Sequence, residues 1–178
     1  HPDGSIQLGR NPYGACDHEV IAVRIDSIDG RPLSVLVNWP CHGTVMGPKN
    51  YDISGDWPGA ASRCIEQTLL PGVVAPMLIG ASGDINPIYG PHMDFHENYF
   101  YAYGVDAIGI DLAERAVKSL EGAGTNGQGT VSAVQRTIGL LRKTDDSKLQ
   151  QPETGKNDSL LVRLSVLKVG NIVFAGVS

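Results

Sequence analysis

Apolar residues in this chain come in short runs separated by Gly, Pro and Asp, and most of the runs alternate as strands do. In EVIAVRID, residues 19–26, Val20, Ile21, Ala22, Val23 and Ile25 are apolar and fall on both faces of a strand. Asp29-Gly30 follows as a hairpin signal, because a tight turn there needs positive φ. LSVLVNW, 33–39, reads as the return strand, and its apolar residues on both faces predict a pair covered on both sides. A loop then leads into a helix. Asp56 is placed to cap its free N–H groups, Pro58 suits its first turn, and Ala61, Cys64, Ile65 and Thr68 recur at helical spacing. Residues 71–82 read as a turn and a strand. The longest helix is predicted over 96–120, with Tyr103, Ala107, Ile110, Ala113 and Val117 on one stripe and Gly104 and Gly109 allowing close packing. Residues 131–141 form a further strand, and 159–177 a hairpin turning at Gly170-Asn171. The predicted order is β-β-α-β-α-β-β-β. That is an α/β fold of mixed β-sheet layers flanked by helices, not a regular doubly wound sheet.

Composition narrows the picture. The 178 residues suit one domain, and 42% apolar residues suffice for a core. The 22 glycines and 11 prolines fit many shaped loops. The net charge is -5 and the 14 basic residues are scattered, which argues against a nucleic-acid partner. No apolar run approaches the roughly 18 residues of a membrane span. The sequence starts at His1 without a signal-peptide pattern and stops at the strand-like NIVFAGVS. A single, incomplete domain over 1–178 is therefore expected, with 142–158 as a polar loop excursion. Cys16, Cys41 and Cys64 cannot all pair, and their spacing fits no zinc knuckle or CxxC motif. Buried free thiols are expected; one disulfide with one free thiol is the alternative.

The chemistry concentrates in loops 41–46, 54–58 and 82–87. Ligands of open α/β sheets sit at strand C-termini. If strands 33–39 and 73–82 are neighbours, His42 lies near Asp84 and Asn86. His42 then has three readings: a zinc ligand, a general base, or a packed histidine with satisfied hydrogen bonds. Gly43 lets the backbone approach a ligand, and Thr44 brings a hydroxyl to the same place. Asp84 either caps a turn or orients a base or a water. Asn86, held extended before Pro87, offers a carbonyl acceptor and an NH2 donor but no nucleophile. His92 and His96 are one helical turn apart, without an HExxH pattern. A serine esterase using Ser54 or Ser82 would lack a nucleophile elbow.

Taken in order, NWPCHGTVM, ISGDWPGAASRCIE and ASGDINP resemble three motifs of the neutral, non-lysosomal ceramidase family, across residues 38–87. The resemblance implies part of a larger ceramidase-like catalytic domain, a zinc-dependent amidase acting on a small amide or lipid-like substrate in sphingolipid metabolism. It implies that His42 is a zinc ligand. The family's other ligands, a second histidine upstream and a glutamate and a tyrosine downstream, fall outside this chain, so the remaining segments of a parent chain would have to complete the site. Gly43 and Thr44 become substrate-binding residues, and Asp84 and Asn86 catalytic ones. Asn86 departs from the family, which has serine there, so the resemblance implies a ceramidase-like hydrolase of an amide or ester rather than a strict ceramidase. The alternative is a non-catalytic binding or structural module on the same fold. By the same resemblance, the setting is extracytoplasmic, secreted or periplasmic.

Overall fold

A computed structural model describes residue 11 and residues 13–89, 98–124, 129–141 and 159–178. The polar excursion 142–158 and the histidines His92 and His96 lie outside the described residues. The chain divides into two compact units, 1–123 and 124–178. Its elements follow the predicted order, and the fold is the expected mixed α/β architecture.

In the first unit, β1 (Ile21–Asp26) and β2 (Pro32–Trp39) pair antiparallel, with Gly30 at φ +83° in the connecting turn. That backbone conformation is open to glycine at little steric cost. Along β2, Val35 and Val37 are 0% and 1% exposed, while Ser34, Leu36 and Asn38 on the other face are half-buried. The expected cover is thus complete on one face only. β3 (Met77–Ile79) joins β2 in parallel, with Val37 opposite Met77 and Trp39 opposite Ile79. The strand expected over 73–82 is shortened to these three residues, and Val74 adds a single bridge to Ser34. Pro76 between them has no N–H to extend the ladder.

Helix α1 (Asp56–Thr68) buries Trp57, Ala60, Ala61 and Ile65 against this sheet's core. Thr68 does not join that stripe: it is exposed, and its hydroxyl donates to the Cys64 carbonyl at 2.7 Å. Helix α2 (Asn98–Ser119) stands where it was expected, but its buried stripe is rotated. Val105, Ile108, Leu112, Ala113 and Ala116 face the core, whereas Tyr103 and Ile110 are 67% and 47% exposed. The cause is the contact with α1. A Cβ on Gly109 would lie 2.5 Å from the Ala60 Cβ and 2.9 Å from the Ala61 nitrogen. Closest approach is set by the smallest residues, and they orient the helix more strongly than its bulkier apolar positions do.

The second unit is a three-stranded antiparallel sheet of β4 (Val131–Leu141), β5 (Ser159–Val169) and β6 (Ile172–Val177), in that order. Its β5–β6 turn is at Gly170-Asn171 as predicted, with Gly170 at φ +58°. One face carries Ile138, Leu140, Val162, Leu164 and Val166. The other has a polar centre, where the Gln135 amide donates to the Ser165 hydroxyl at 2.9 Å.

The helix seam is directly testable. Alanine is a better helix former than glycine by about 1 kcal/mol, yet Gly109→Ala forces a methyl group into backbone. We expect a net destabilisation of about 1–2 kcal/mol by denaturant unfolding; an unchanged or raised midpoint would show that the helices do not meet at Gly109.

Candidate functional site

The parallel pairing of β2 and β3 brings two strand C-termini to one edge of the sheet. The Gly80 N–H donates to the Trp39 carbonyl at 3.1 Å, and the Asn38 side chain donates to the Leu78 carbonyl at 3.2 Å. A Cβ on Gly80 would sit 3.1 Å from the Pro40 Cα. Loops 40–46 and 80–87 therefore leave the sheet side by side, and they are joined where His42 meets Ile85.

His42 makes two contacts with one atom. Its backbone N–H donates to the Ile85 carbonyl at 2.9 Å, and its ring Nδ1 lies 3.2 Å from the same oxygen. A carbonyl oxygen only accepts, so this geometry requires the proton on Nδ1. A neutral ring then keeps its lone pair on Nε2. A histidine bound to metal through one nitrogen commonly donates from the other to a carbonyl. The ring is half-buried.

The N-terminal turn of α1 holds the same loop from the other side. The Trp57 indole N–H donates to the His42 carbonyl at 2.9 Å. The Asp56 carboxylate accepts from the Trp57 N–H at 2.8 Å and from the Met46 N–H at 2.9 Å. The bare Cα of Gly43 faces the Pro58 ring, where a Cβ would come within 3.3 Å. Trp57, fully buried, meets Trp39 edge to face at 4.9 Å between ring centres.

Asp84 and Asn86 flank Ile85, so the structure does gather His42, Asp84 and Asn86 on adjoining loops. Both flanking side chains are exposed. Asn86 lines a cleft of about 540 Å³ whose wall includes Trp39, Cys41, Ile85, Ile108 and Leu112. His42, Gly43, Thr44 and Asp84 do not line it. Gly43 and Thr44 are exposed, and the Thr44 carbonyl accepts from the Gly47 N–H at 3.2 Å. The loop from Cys16 to His18 also walls the cleft, which its polar sequence did not signal.

Among the described residues no group of three or more His, Cys, Asp and Glu gathers to hold a metal ion. His42 by itself suits one, because its tautomer leaves Nε2 as the donor.

All three cysteines are free, but they are not alike. Cys41 is buried, Cys64 half-buried and Cys16 exposed, so the expectation of buried thiols fails for Cys16, which sits on a turn-rich loop. Burial, then the neighbouring Cys16 and Asp56, push the Cys41 thiol up to about 12.

No protein-family model matches this chain, and neither does any curated protein. Solved structures do. Neutral ceramidase from Pseudomonas aeruginosa matches 88% of the chain with a TM-score of 0.62 at 14% identity. The fold is that of a neutral ceramidase segment. A ceramidase complexed with C2 matches 93% of the chain with a TM-score of 0.63 at 15% identity. The ceramidase-like chain spans about a third of those structures, 34% and 37% of their lengths. The resemblance read from the three motifs holds at the level of fold.

The thiols supply a second test. At pH 8 the Cys41 thiol stays protonated as well as buried, and the thiolate is the nucleophile. Brief iodoacetamide treatment followed by peptide mass mapping should label Cys16 and spare Cys41 until the chain is unfolded. Equal labelling of the two in the folded chain would contradict the burial of Cys41.

Proposed function

We propose that this chain carries part of the catalytic region of a zinc-dependent hydrolase that cleaves an amide or ester bond in a small, lipid-like acyl substrate. The observation that supports this reading most directly is the paired contact of His42 with the Ile85 carbonyl, which leaves Nε2 free to bind metal. The ceramidase-like fold and the three motifs supply the chemical class. His42 is one ligand; a catalytic zinc site needs about three from protein, so the others come from elsewhere in a parent chain. Bound zinc supplies a Lewis acid for the substrate carbonyl and acidifies water near neutral pH.

The residues of this chain take the remaining roles. Asn86, at the cleft wall, donates from its amide to the oxygen that gains negative charge. It cannot act as nucleophile or base, because a carboxamide does not ionise. Asp84 holds the loop rather than moving protons, and Gly43 and Thr44 contact the substrate. An extracytoplasmic setting accompanies this reading. Among the described residues, no helix is long and apolar enough to cross a membrane.

The exposed amide of Asn86, where the family has serine, favours a second reading: a module that binds the same ligands without turnover. Turnover of acyl amides that stops on chelation and returns with zinc separates the two.

For the full-length protein, His42→Ala should abolish both stoichiometric zinc binding and hydrolysis of acyl-amide substrates, while thermal unfolding stays cooperative. Zinc content equal to wild type would reject His42 as a ligand. Asn86→Ala should lower kcat on acyl amides, because the amide donor is lost; an unchanged kcat would reject that role for Asn86.

A further inference from the structure

We infer that Asp56 is a positioning residue for His42, a role that rests on reading His42 as a metal ligand and is distinct from helix capping. Asp56 is 8% exposed and each carboxylate oxygen is bonded: Oδ1 accepts from the Trp57 N–H at 2.8 Å, and Oδ2 from the Met46 N–H at 2.9 Å. The first bond belongs to helix α1. The second crosses to the loop that carries His42, ten residues earlier in sequence.

The bond to Trp57 is not the expected side-chain cap: Gly55 holds the N-cap position without one, and Asp56 is the first residue of the helix, bonded to its neighbour. Here one carboxylate ties the helix N-terminus to the far end of loop 41–46. Two further contacts close the same clamp: the Trp57 indole on the His42 carbonyl at 2.9 Å, and Gly43 against Pro58. The Asp56 backbone is held at φ +50°, a left-handed conformation uncommon for a residue with a side chain. The Ser54 hydroxyl supports it there, accepting from the Asp56 N–H at 3.0 Å. Such backbone conformations persist where the surroundings over-determine them.

The consequence falls on the imidazole. With both ends of loop 41–46 fixed, the His42 backbone cannot drift away from Ile85. The ring then has one carbonyl within reach of Nδ1 and holds a single tautomer. Asp56 touches neither substrate nor metal; it acts through the loop.

Asp56→Asn is the discriminating variant. Asparagine tolerates left-handed φ, so the backbone is retained, but one oxygen becomes an NH2 donor facing an N–H. Either Trp57 or Met46 loses its acceptor. Ile65→Val, a core change in the same helix that leaves the clamp intact, controls for stability. The metal-free full chain is read by long-range ¹H–¹⁵N NMR of the His42 ring. Wild type and Ile65→Val should show the Nδ1–H tautomer alone, and Asp56→Asn a mixture with Nε2–H. Zinc affinity by chelator competition should fall about tenfold in Asp56→Asn only. A wild-type ring pattern in Asp56→Asn, or the same mixture in Ile65→Val, would overturn the inference. Absence of zinc binding by the wild-type full-length protein would instead sink the hydrolase reading, because the ring measurement needs no metal.

Discussion

One carbonyl oxygen, that of Ile85, organises the candidate site. It accepts the His42 backbone N–H and the His42 ring proton together, and by doing so it settles where the imidazole lone pair lies. Each bond contributes about 1 kcal/mol net, a small energy. Their importance is geometric. A backbone bond and a side-chain bond to one atom leave the ring little freedom about χ1 and χ2. A carbonyl can enforce one tautomer because, unlike water or a hydroxyl, it has no hydrogen to offer in return.

That carbonyl is in place because of the parallel pairing of β2 and β3, three residue pairs long. So short a ladder does not hold itself. It is stiffened by the Gly80 N–H on the Trp39 carbonyl and by the Asn38 amide on the Leu78 carbonyl. The packed layer behind it does the rest. Val35 and Val37 of β2 share a core with Trp57, Ala61 and Ile65 of α1, and α2 closes on α1 through Gly109. The helix contact therefore bears on the site: it fixes the start of α1, where Asp56 and Trp57 grip the loop of His42.

Local patterns in the sequence carried the order of elements, both hairpin turns and the gathering of His42 with Asp84 and Asn86. Each depends on periodicity or on turn residues a few positions apart. What escaped is what depends on contacts distant along the chain. The buried stripe of α2 is rotated from its apolar periodicity because the opposing Ala60 selects the glycine. Asp56 reads as a cap from its place before the apolar stripe, but Gly55 takes the N-cap position without a side-chain cap, and the Asp56 bond to Met46 cannot be seen from spacing. Cys16 reads as a buried thiol by residue type, yet its loop lies at the surface. The tautomer of His42 was out of reach for the same reason, since Ile85 is 43 residues away.

In the proposed chemistry, Asn86 bears on the outcome as well as His42. An imidazole held in one tautomer is suited to ligation whatever reaction follows. The residue beside the cleft decides what that reaction demands. A serine hydroxyl can donate and accept through one oxygen; a carboxamide does both only through separate atoms of a planar group. Rotation of the amide exchanges them. With the NH2 turned to the cleft, the residue stabilises negative charge on a carbonyl oxygen. With the oxygen turned to the cleft, it favours a ligand that donates, such as an intact amide N–H. On the proposed reading, the first orientation suits a hydrolase and the second a binding module. Within the proposal, that orientation bears on which of the two functions the cleft serves.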